Sequence, residues 1–187
     1  TQVADMNLVR WYPTLLTLPD GRILAVSGQG ANRQEIYDAG TNTWQFVTGA
    51  DRTFPELYPS LNLLPSGDVF YSRAGWAQSN LGQPGTARLG FTGPLSGLWS
   101  DLGQEQFYDR QEGTAVMLID TTLSPPTTKV YIIGGGVSGP ATTPNPQSAG
   151  VIGLTTLGGA AWSRIADMNF PRTNVNSLLL PDGTILV

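Results

Sequence analysis

The chain has 187 residues, a formal net charge of −4 and only 10 lysine and arginine residues, and it contains no cysteine or histidine. These residues therefore cannot form a disulfide, a Cys/His metal site or a Ser-His-Asp triad. The sparse positive charge argues against nucleic acid as a partner, because nucleic-acid binders cluster basic residues on one face. Apolar runs such as Val130–Ile133 fall far short of the roughly 20 residues that span a bilayer, so we expect no membrane insertion.

Two segments of the chain repeat each other closely. ADMNLVRWYPTLLTLPDGRILA begins at Ala4, and ADMNFPRTNVNSLLLPDGTILV begins 162 residues later at Ala166. A further copy of the Tyr-Pro step and the Leu-Pro-x-Gly turn begins at Tyr58, 46 residues after Tyr12. Three units of about 54 residues fill the longer interval, close to the period of about 50 in kelch-type β-propellers. The sequence therefore predicts a repeat protein.

Composition and patterning predict the fold class. The chain has 23 glycines and 14 prolines and is 40% hydrophobic, which suits many short strands joined by turns. Apolar and polar residues alternate in places, and no stretch keeps helical spacing over three turns. We predict an all-β, partial kelch-type β-propeller of about three and a half four-stranded blades. The blades are expected at residues 1–48, 49–103 and 104–165, with 166–187 beginning an incomplete fourth.

The first blade is predicted to begin with an inner strand from Trp11 to Thr17. A turn follows at Leu18-Pro19-Asp20-Gly21, because proline pre-sets φ and glycine accepts a positive φ. An outward strand runs from Arg22 to Ser27, and residues 35–44 match the kelch pattern E-x-Y-D-x-x-x-N-x-W. The tryptophans expected to close the outer strands of the first three blades are Trp44, Trp99 and Trp162.

The second blade repeats this order from Leu57 to Ser72, around the turn Leu64-Pro65-Ser66-Gly67. An insertion-like loop then runs from Ala74 to Ala87. Loops on one face of a rigid propeller often carry recognition, so this loop is a candidate functional element. Trp76 lies near its start, and the alternative role of its indole is to cover a seam between blades.

The third blade is predicted to start at Glu112 and to pass through Lys129–Ile133 into Gly134-Gly135-Gly136, where glycines allow close backbone packing. A polar loop, Pro140–Gln147, precedes its last strands, and Met168–Val187 begins the fourth blade. The sequence shows no secretory leader and stops within an apolar strand pattern. We therefore expect the chain to be a piece of a longer polypeptide.

The sequence Arg10-Trp11-Tyr12-Pro13-Thr14, followed by Leu18-Pro19-Asp20-Gly21, resembles the galactose oxidase and glyoxal oxidase family of copper radical oxidases. The likeness is closest to bacterial glyoxal-oxidase-like members and extends over almost the whole chain. It implies a seven-bladed kelch propeller, of which this chain is the N-terminal part. It also implies a secreted enzyme that oxidises small aldehydes or primary alcohols with O2 to give H2O2, inactive as this piece alone.

In that family the tyrosine at the position of Tyr12 is a copper ligand that holds a radical. Its ring is joined by a thioether to an earlier cysteine, and the other ligands, a Tyr-His pair and a further histidine, lie in later blades. The resemblance thus implies copper with a Cys-Tyr thioether radical in the full-length protein and no cofactor in this piece alone. Arg10 is a candidate support, and Trp11 and Trp76 are candidates for the tryptophan that covers the radical site.

Patterning alone gives these residues structural roles. The repeat itself places Tyr58 at the position of Tyr12, so both rings could simply fill the propeller throat. Arg172 likewise occupies the repeat position of Arg10. A non-catalytic propeller that binds glycan or protein is the alternative function, and closure of one ring by two copies is a third possibility.

The predicted partners are a small aldehyde or alcohol substrate, O2 and the remainder of the propeller. Lys129 is the single lysine, whereas threonine, asparagine, glycine and proline are abundant. This composition favours an extracellular or cell-surface location.

Overall fold

The structure, a computed structural model, describes residues 2–54, 56–72, 76–77, 85–102, 111–122, 124, 127–137, 143–144, 151–154, 162–163 and 165–187. Among these residues every regular element is a β-strand, and all pairings between strands are antiparallel. The predicted all-β fold is therefore confirmed. Across these ranges no helix is long and apolar enough to cross a membrane.

The first sheet has four strands that pair in sequence order. They are β1 (Thr14–Thr17), β2 (Ile23–Val26), β3 (Glu35–Asp38) and β4 (Thr43–Phe46). The turn between β1 and β2 forms where it is predicted, with Gly21 at a φ of +86°. The inner strand begins at Thr14 rather than at Trp11, because Tyr12 has a φ of +63° and Pro13 has no N–H to donate.

The next region forms a second four-stranded sheet and a short ladder beside it. Its strands are β5 (Glu56–Leu57), β6 (Leu61–Leu63), β7 (Val69–Tyr71), β8 (Trp76–Ala77), β9 (Ala87–Gly93) and β10 (Ser96–Asp101). The sheet order is β10-β9-β7-β6, and β5 pairs with β8. The predicted inner strand therefore begins at Leu61, whereas Leu57 pairs with Trp76 in the ladder. Most of the predicted recognition loop lies outside the described residues.

The third sheet has the order β11-β12-β14-β15, and a hairpin of two strands follows it. The strands are β11 (Gln111–Asp120), β12 (Thr127–Val137), β13 (Thr143–Pro144), β14 (Val151–Leu154), β15 (Trp162–Ser163), β16 (Leu178–Leu179) and β17 (Ile185–Leu186). Strand β13 pairs with the end of β12. Apart from β13, the predicted polar loop Pro140–Gln147 lies outside the described residues.

The second sheet is packed between the first and the third. Tyr71 of β7 belongs to an apolar core that includes Leu24 of the first sheet. Its neighbour Phe70 belongs to another core, with Val130 of the third sheet, because successive side chains of a strand point to opposite faces. The inner strands β1, β6, β11 and β16 contact one another in that order. The blades thus share one inner edge, as in a partial propeller.

The tryptophans lie where the sequence predicts them, on the outermost strands β4, β10 and β15. The Trp44 indole N–H donates to the Ala4 carbonyl over 3.0 Å, and the Trp99 indole N–H donates to the Ala50 carbonyl over 3.1 Å. The indoles of Trp44 and Trp99 therefore each join an outer strand to the segment that leads into the same blade. The boundaries at residues 48, 103 and 165 stay predictions.

Two glycines of the loop after β2 allow a matched test of backbone packing. Gly28 has a φ of +100°, and a Cβ added there would lie 2.8 Å from the Arg10 Cβ, whereas Gly30 has a φ of +81° and open space around it. Replacing either with alanine should cost about 1–2 kcal/mol of unfolding free energy through the left-handed backbone. Gly28→Ala should cost about 1–3 kcal/mol more through the steric clash. Equal losses in urea unfolding would contradict this packing.

Candidate functional site

Four residues with left-handed backbone conformations recur near the start of the inner strands. Tyr12, Tyr58, Glu112 and Asn174 have φ values of +63°, +54°, +58° and +52°. The spacings from Tyr12 to Tyr58 and from Tyr12 to Asn174 are those of the sequence repeat. A non-glycine residue in such a conformation costs of order 1–3 kcal/mol, and these residues cluster at functional sites. The inner edge of the blades is therefore the candidate site.

Three aromatic residues, Trp11, Tyr12 and Tyr58, form an aromatic stack at this edge. The ring centroids of Tyr12 and Tyr58 lie 4.7 Å apart with an interplanar angle of 26°, and those of Trp11 and Tyr12 lie 4.9 Å apart at 30°. Tyr12 is 41% exposed and Tyr58 is 48% exposed. Both tyrosines are therefore partly exposed in the part of the chain that the structure describes.

Backbone contacts hold the two tyrosines in register. The Tyr58 N–H donates to the Tyr12 carbonyl over 3.1 Å. Two residues further along the first blade, the Thr14 hydroxyl donates to the Pro59 carbonyl over 2.7 Å. Hydrogen bonds between the segments that lead into β1 and β6 thus hold the two rings together, in addition to the stacking itself.

The same position is polar in the third and fourth blades. The Asn174 side-chain amide donates to a Glu112 carboxylate oxygen over 3.1 Å. The Thr114 and Ser177 hydroxyls lie 2.9 Å apart and share a hydrogen bond. Contacts at the inner edge therefore join the first blade to the second and the third blade to the fourth. The contacts between the first two blades include aromatic rings, whereas those between the last two are polar.

A buried carboxylate fixes the segment that leads to Tyr12. Glu35, on β3, accepts hydrogen bonds of 2.8 Å from both the backbone N–H and the side-chain amide of Asn7. It also forms an ion pair with Arg10, with 2.9 Å between Nη2 and Oε1, and both side chains are fully buried. Arg10 further donates to the Ser27 carbonyl over 2.7 Å. We call Asn7, Arg10 and Glu35 the Glu35 clamp.

Two further contacts fix the backbone between the Glu35 clamp and the aromatic stack. Gly28 leaves the space that the Arg10 side chain occupies, since no Cβ fits there. The Gln29 N–H donates to the Trp11 carbonyl over 2.9 Å. The residues on either side of the Arg10–Trp11 bond are therefore both fixed to the segment that follows β2, immediately before Tyr12.

The surroundings shift two pKa values at this site. Burial raises the pKa of the Glu35 carboxyl, but hydrogen bonds from Arg10 and Asn7 outweigh it and hold that pKa below its usual value of 4.5. Partial desolvation raises the pKa of the Tyr58 phenol above its usual value of 10.0, and the neighbouring Tyr12 side chain raises that pKa further. At neutral pH Glu35 is thus ionised and Tyr58 is a neutral phenol.

The structure brings together three of the four predicted site residues. Trp11 and Tyr12 stack, and Arg10 lies in the Glu35 clamp that precedes them. The side chain of Trp76 lies outside the part of the chain that the structure describes. The roles of Tyr12 as ligand, Arg10 as support and Trp11 as covering ring stay predictions.

Sequence reasoning missed two participants in the site. Tyr58 stacks on Tyr12, and its repeat spacing of 46 residues was the signal that could have identified it. Glu35 was assigned only to the kelch pattern, and nothing in the sequence indicates that its carboxylate reaches Asn7 and Arg10. That contact crosses more than 20 residues of chain, so local patterning does not report it.

The described residues do not by themselves provide a set of copper ligands. Among the described residues no group of three or more His, Cys, Asp or Glu side chains could hold a metal ion. Imidazole nitrogen suits Cu(II), and the sequence contains no histidine. Tyr12 offers one phenol oxygen, so copper binding would require further ligands from other residues.

Comparison with known proteins supports the predicted resemblance. An aldehyde oxidase of Vitis pseudoreticulata, GLOX, is 36% identical over 70 residues, which make up 35% of this chain and 13% of that protein. The structure is also similar to that of a fungal alcohol oxidase with catalytic diversity among the AA5 family, solved in complex with copper, with a TM-score of 0.73 and 23% sequence identity. The alignment covers 98% of this chain but only 38% of the fungal chain. No protein-family model matches. The structural likeness shows the fold.

The Glu35 clamp can be tested against an exposed ion pair of the same sheet region. Glu35→Ala leaves the buried Arg10 without its partner, which should cost about 3–5 kcal/mol of unfolding free energy. Asp51→Ala removes the partner of Arg33 at 3.3 Å, and both of those side chains are well exposed. Its cost should stay below about 1 kcal/mol. Similar losses for the two variants in urea unfolding would contradict the clamp.

The pH dependence of stability provides a second test of the Glu35 clamp. Because the folded-state pKa of Glu35 is lowered, its ionised form stabilises the fold above its usual pKa of 4.5. This contribution is lost as the pH falls below 4.5 and through the lowered folded pKa. The gap in unfolding free energy between the unaltered protein and Glu35→Gln should therefore shrink on acidification. A gap that is independent of pH would show that the charge contributes nothing.

Proposed function

Because this chain resembles the galactose oxidase and glyoxal oxidase family, we propose that it forms the N-terminal part of the propeller of a secreted copper radical oxidase. The overall reaction converts a primary alcohol and O2 to an aldehyde and H2O2, or a hydrated aldehyde and O2 to an acid and H2O2. The observation that carries the proposal is the place of Tyr12, an accessible phenol at the inner edge of the blades.

In this proposal the chain contributes Tyr12 and the residues that hold it. The full-length protein supplies copper, the histidine and tyrosine ligands and the cysteine of the thioether, as the family resemblance implies. Copper and the modified phenol then provide the two one-electron stores that a two-electron oxidation needs. The chain has no histidine and no cysteine, so it is inactive by itself.

The neighbours of Tyr12 have separate roles in the proposed site. The Glu35 clamp fixes the backbone before Tyr12, so that the phenol is preorganised for binding without a conformational change. Trp11 stacks on the Tyr12 ring with 4.9 Å between the ring centroids, which orients the ring and leaves part of it exposed. Arg10 acts only as a positioning residue, because its side chain is fully buried in the clamp.

One observation favours the alternative of a non-catalytic binding module. Trp11, Tyr12 and Tyr58 are all large, exposed aromatic residues at one edge. Tyrosine and tryptophan are enriched at binding interfaces, because they present both an apolar body and a polar tip. In that case the aromatic stack would contact a glycan or a protein directly, without copper.

Substitution of Tyr12 in the complete protein distinguishes the two functions. Tyr12→Phe keeps the aromatic ring but removes the oxygen that the metal requires, so peroxide production should fall to background. Tyr131→Phe, a half-buried tyrosine on β12, is the matched control and should retain activity. The measurements are copper content and peroxide release with a panel of aldehydes and primary alcohols. Full activity of Tyr12→Phe would overturn the oxidase proposal, and an unaltered protein without copper or peroxide release would favour the binding module.

A further inference from the structure

Tyr12 and Tyr58 form a pair that differs from the other described tyrosines. Their ring centroids lie 4.7 Å apart with an interplanar angle of 26°, so the two rings are stacked. The hydrogen bond from the Tyr58 N–H to the Tyr12 carbonyl fixes the two backbones next to each other. Two phenols are thus held at contact distance across two blades.

Both phenols of this pair are accessible. Tyr12 is 41% exposed and Tyr58 is 48% exposed, so that a small oxidant reaches either ring. Tyr37 and Tyr71 are buried by contrast, and their ring contacts are with Trp44 and with a phenylalanine. Among the described tyrosines, proximity and exposure therefore coincide only at Tyr12 and Tyr58.

We propose that Tyr12 and Tyr58 are an oxidative modification site, at which one-electron oxidation of both phenols joins them in an intrachain dityrosine. The oxidant belongs to the class of activated peroxides, such as hydrogen peroxide with a peroxidase or persulfate with a photosensitiser. The modification requires no copper and no ligand from outside the chain. It therefore goes beyond the proposed oxidase function and does not rest on it.

The chemistry of the coupling balances as follows. Each phenol loses one electron and one proton and becomes a phenoxyl radical, whose unpaired electron is shared with the ring carbons next to the C–O carbon. A carbon–carbon bond forms between one such carbon of Tyr12 and one of Tyr58. The hydrogen on each of these carbons moves to the phenol oxygen, which restores both aromatic rings. The two electrons reduce one persulfate ion to two sulfate ions, and two protons are released.

Positioning makes this coupling selective. Two rings held side by side react as an intramolecular pair, which raises their effective concentration by orders of magnitude over that of separate molecules. Trp11 also contacts Tyr12, so its indole is the competing partner. Coupling of the Tyr12 phenol would remove it from the role that the proposed oxidase requires, and such a modification would be inactivating.

The test is brief photo-oxidation of the complete, copper-free protein with a ruthenium(II) polypyridyl sensitiser and persulfate. The monomer fraction is digested with trypsin, which releases Tyr12 in residues 11–22 and Tyr58 in residues 53–73. We expect dityrosine fluorescence and a species that joins these two peptides with the loss of two hydrogens. Its yield should fall about tenfold or more in Tyr58→Phe and when the protein is unfolded in urea, because both remove the preorganised pair. Tyr131→Phe should leave it unchanged.

Three outcomes would overturn the proposal. The joined species could be absent from the folded protein, or it could persist in Tyr58→Phe, which would assign the bond to Tyr71 in the same peptide. Fragmentation could alternatively place the new bond between Trp11 and Tyr12. Circular dichroism and urea unfolding of each variant establish that a lost cross-link reflects a lost phenol and not a lost fold. Since no copper is present, the result is independent of whether the protein is an oxidase.

Discussion

The buried ion pair between Glu35 and Arg10 is the contact on which the position of the candidate site depends. Removing two charges from water is costly, and the cost is offset only if both groups are fully hydrogen-bonded. The Glu35 carboxylate meets this condition by accepting hydrogen bonds from Asn7 and Arg10, which precede the first strand. Glu35 itself lies on the third strand of the first sheet. The geometry around Tyr12 is thus set by an outer part of the same blade.

Strain and packing are combined at the inner edge. The left-handed conformations of Tyr12 and Tyr58 are unfavourable for residues with a side chain, and they persist because surrounding contacts fix them. These contacts are the hydrogen bond between the two backbones, the stacking of the rings and the Glu35 clamp. Strands β5 and β6 lie on either side of Tyr58, whereas Tyr12 lies between the Glu35 clamp and strand β1. A rigid scaffold therefore supports a locally unfavourable backbone where the phenols are displayed.

The sequence repeat predicted the strand class, the Leu-Pro-x-Gly turn at Gly21 and the outer-strand tryptophans, because these follow from local periodicity and from φ preferences. The repeat predicted that the inner strands begin before they do. Tyrosine is common in strands, but Tyr12 and Tyr58 have left-handed backbone conformations that a strand cannot include. The repeat also marked Tyr58 as the equivalent of Tyr12, but it predicted neither the stacking of the two rings nor the contacts of Glu35. Both join residues distant in sequence, and only the packing of whole blades brings such residues together.

The second sheet buries both of its faces, with Tyr71 in one core and Phe70 in the other. Its strand β7 is therefore buried on both faces, although residues of the outer strand β10 are exposed. Loss of its order removes support from both flanking layers at once, so the stack should melt as one cooperative unit instead of peeling apart layer by layer. Tyr12 and Tyr58, on neighbouring blades, would then keep or lose their contact together with the whole assembly.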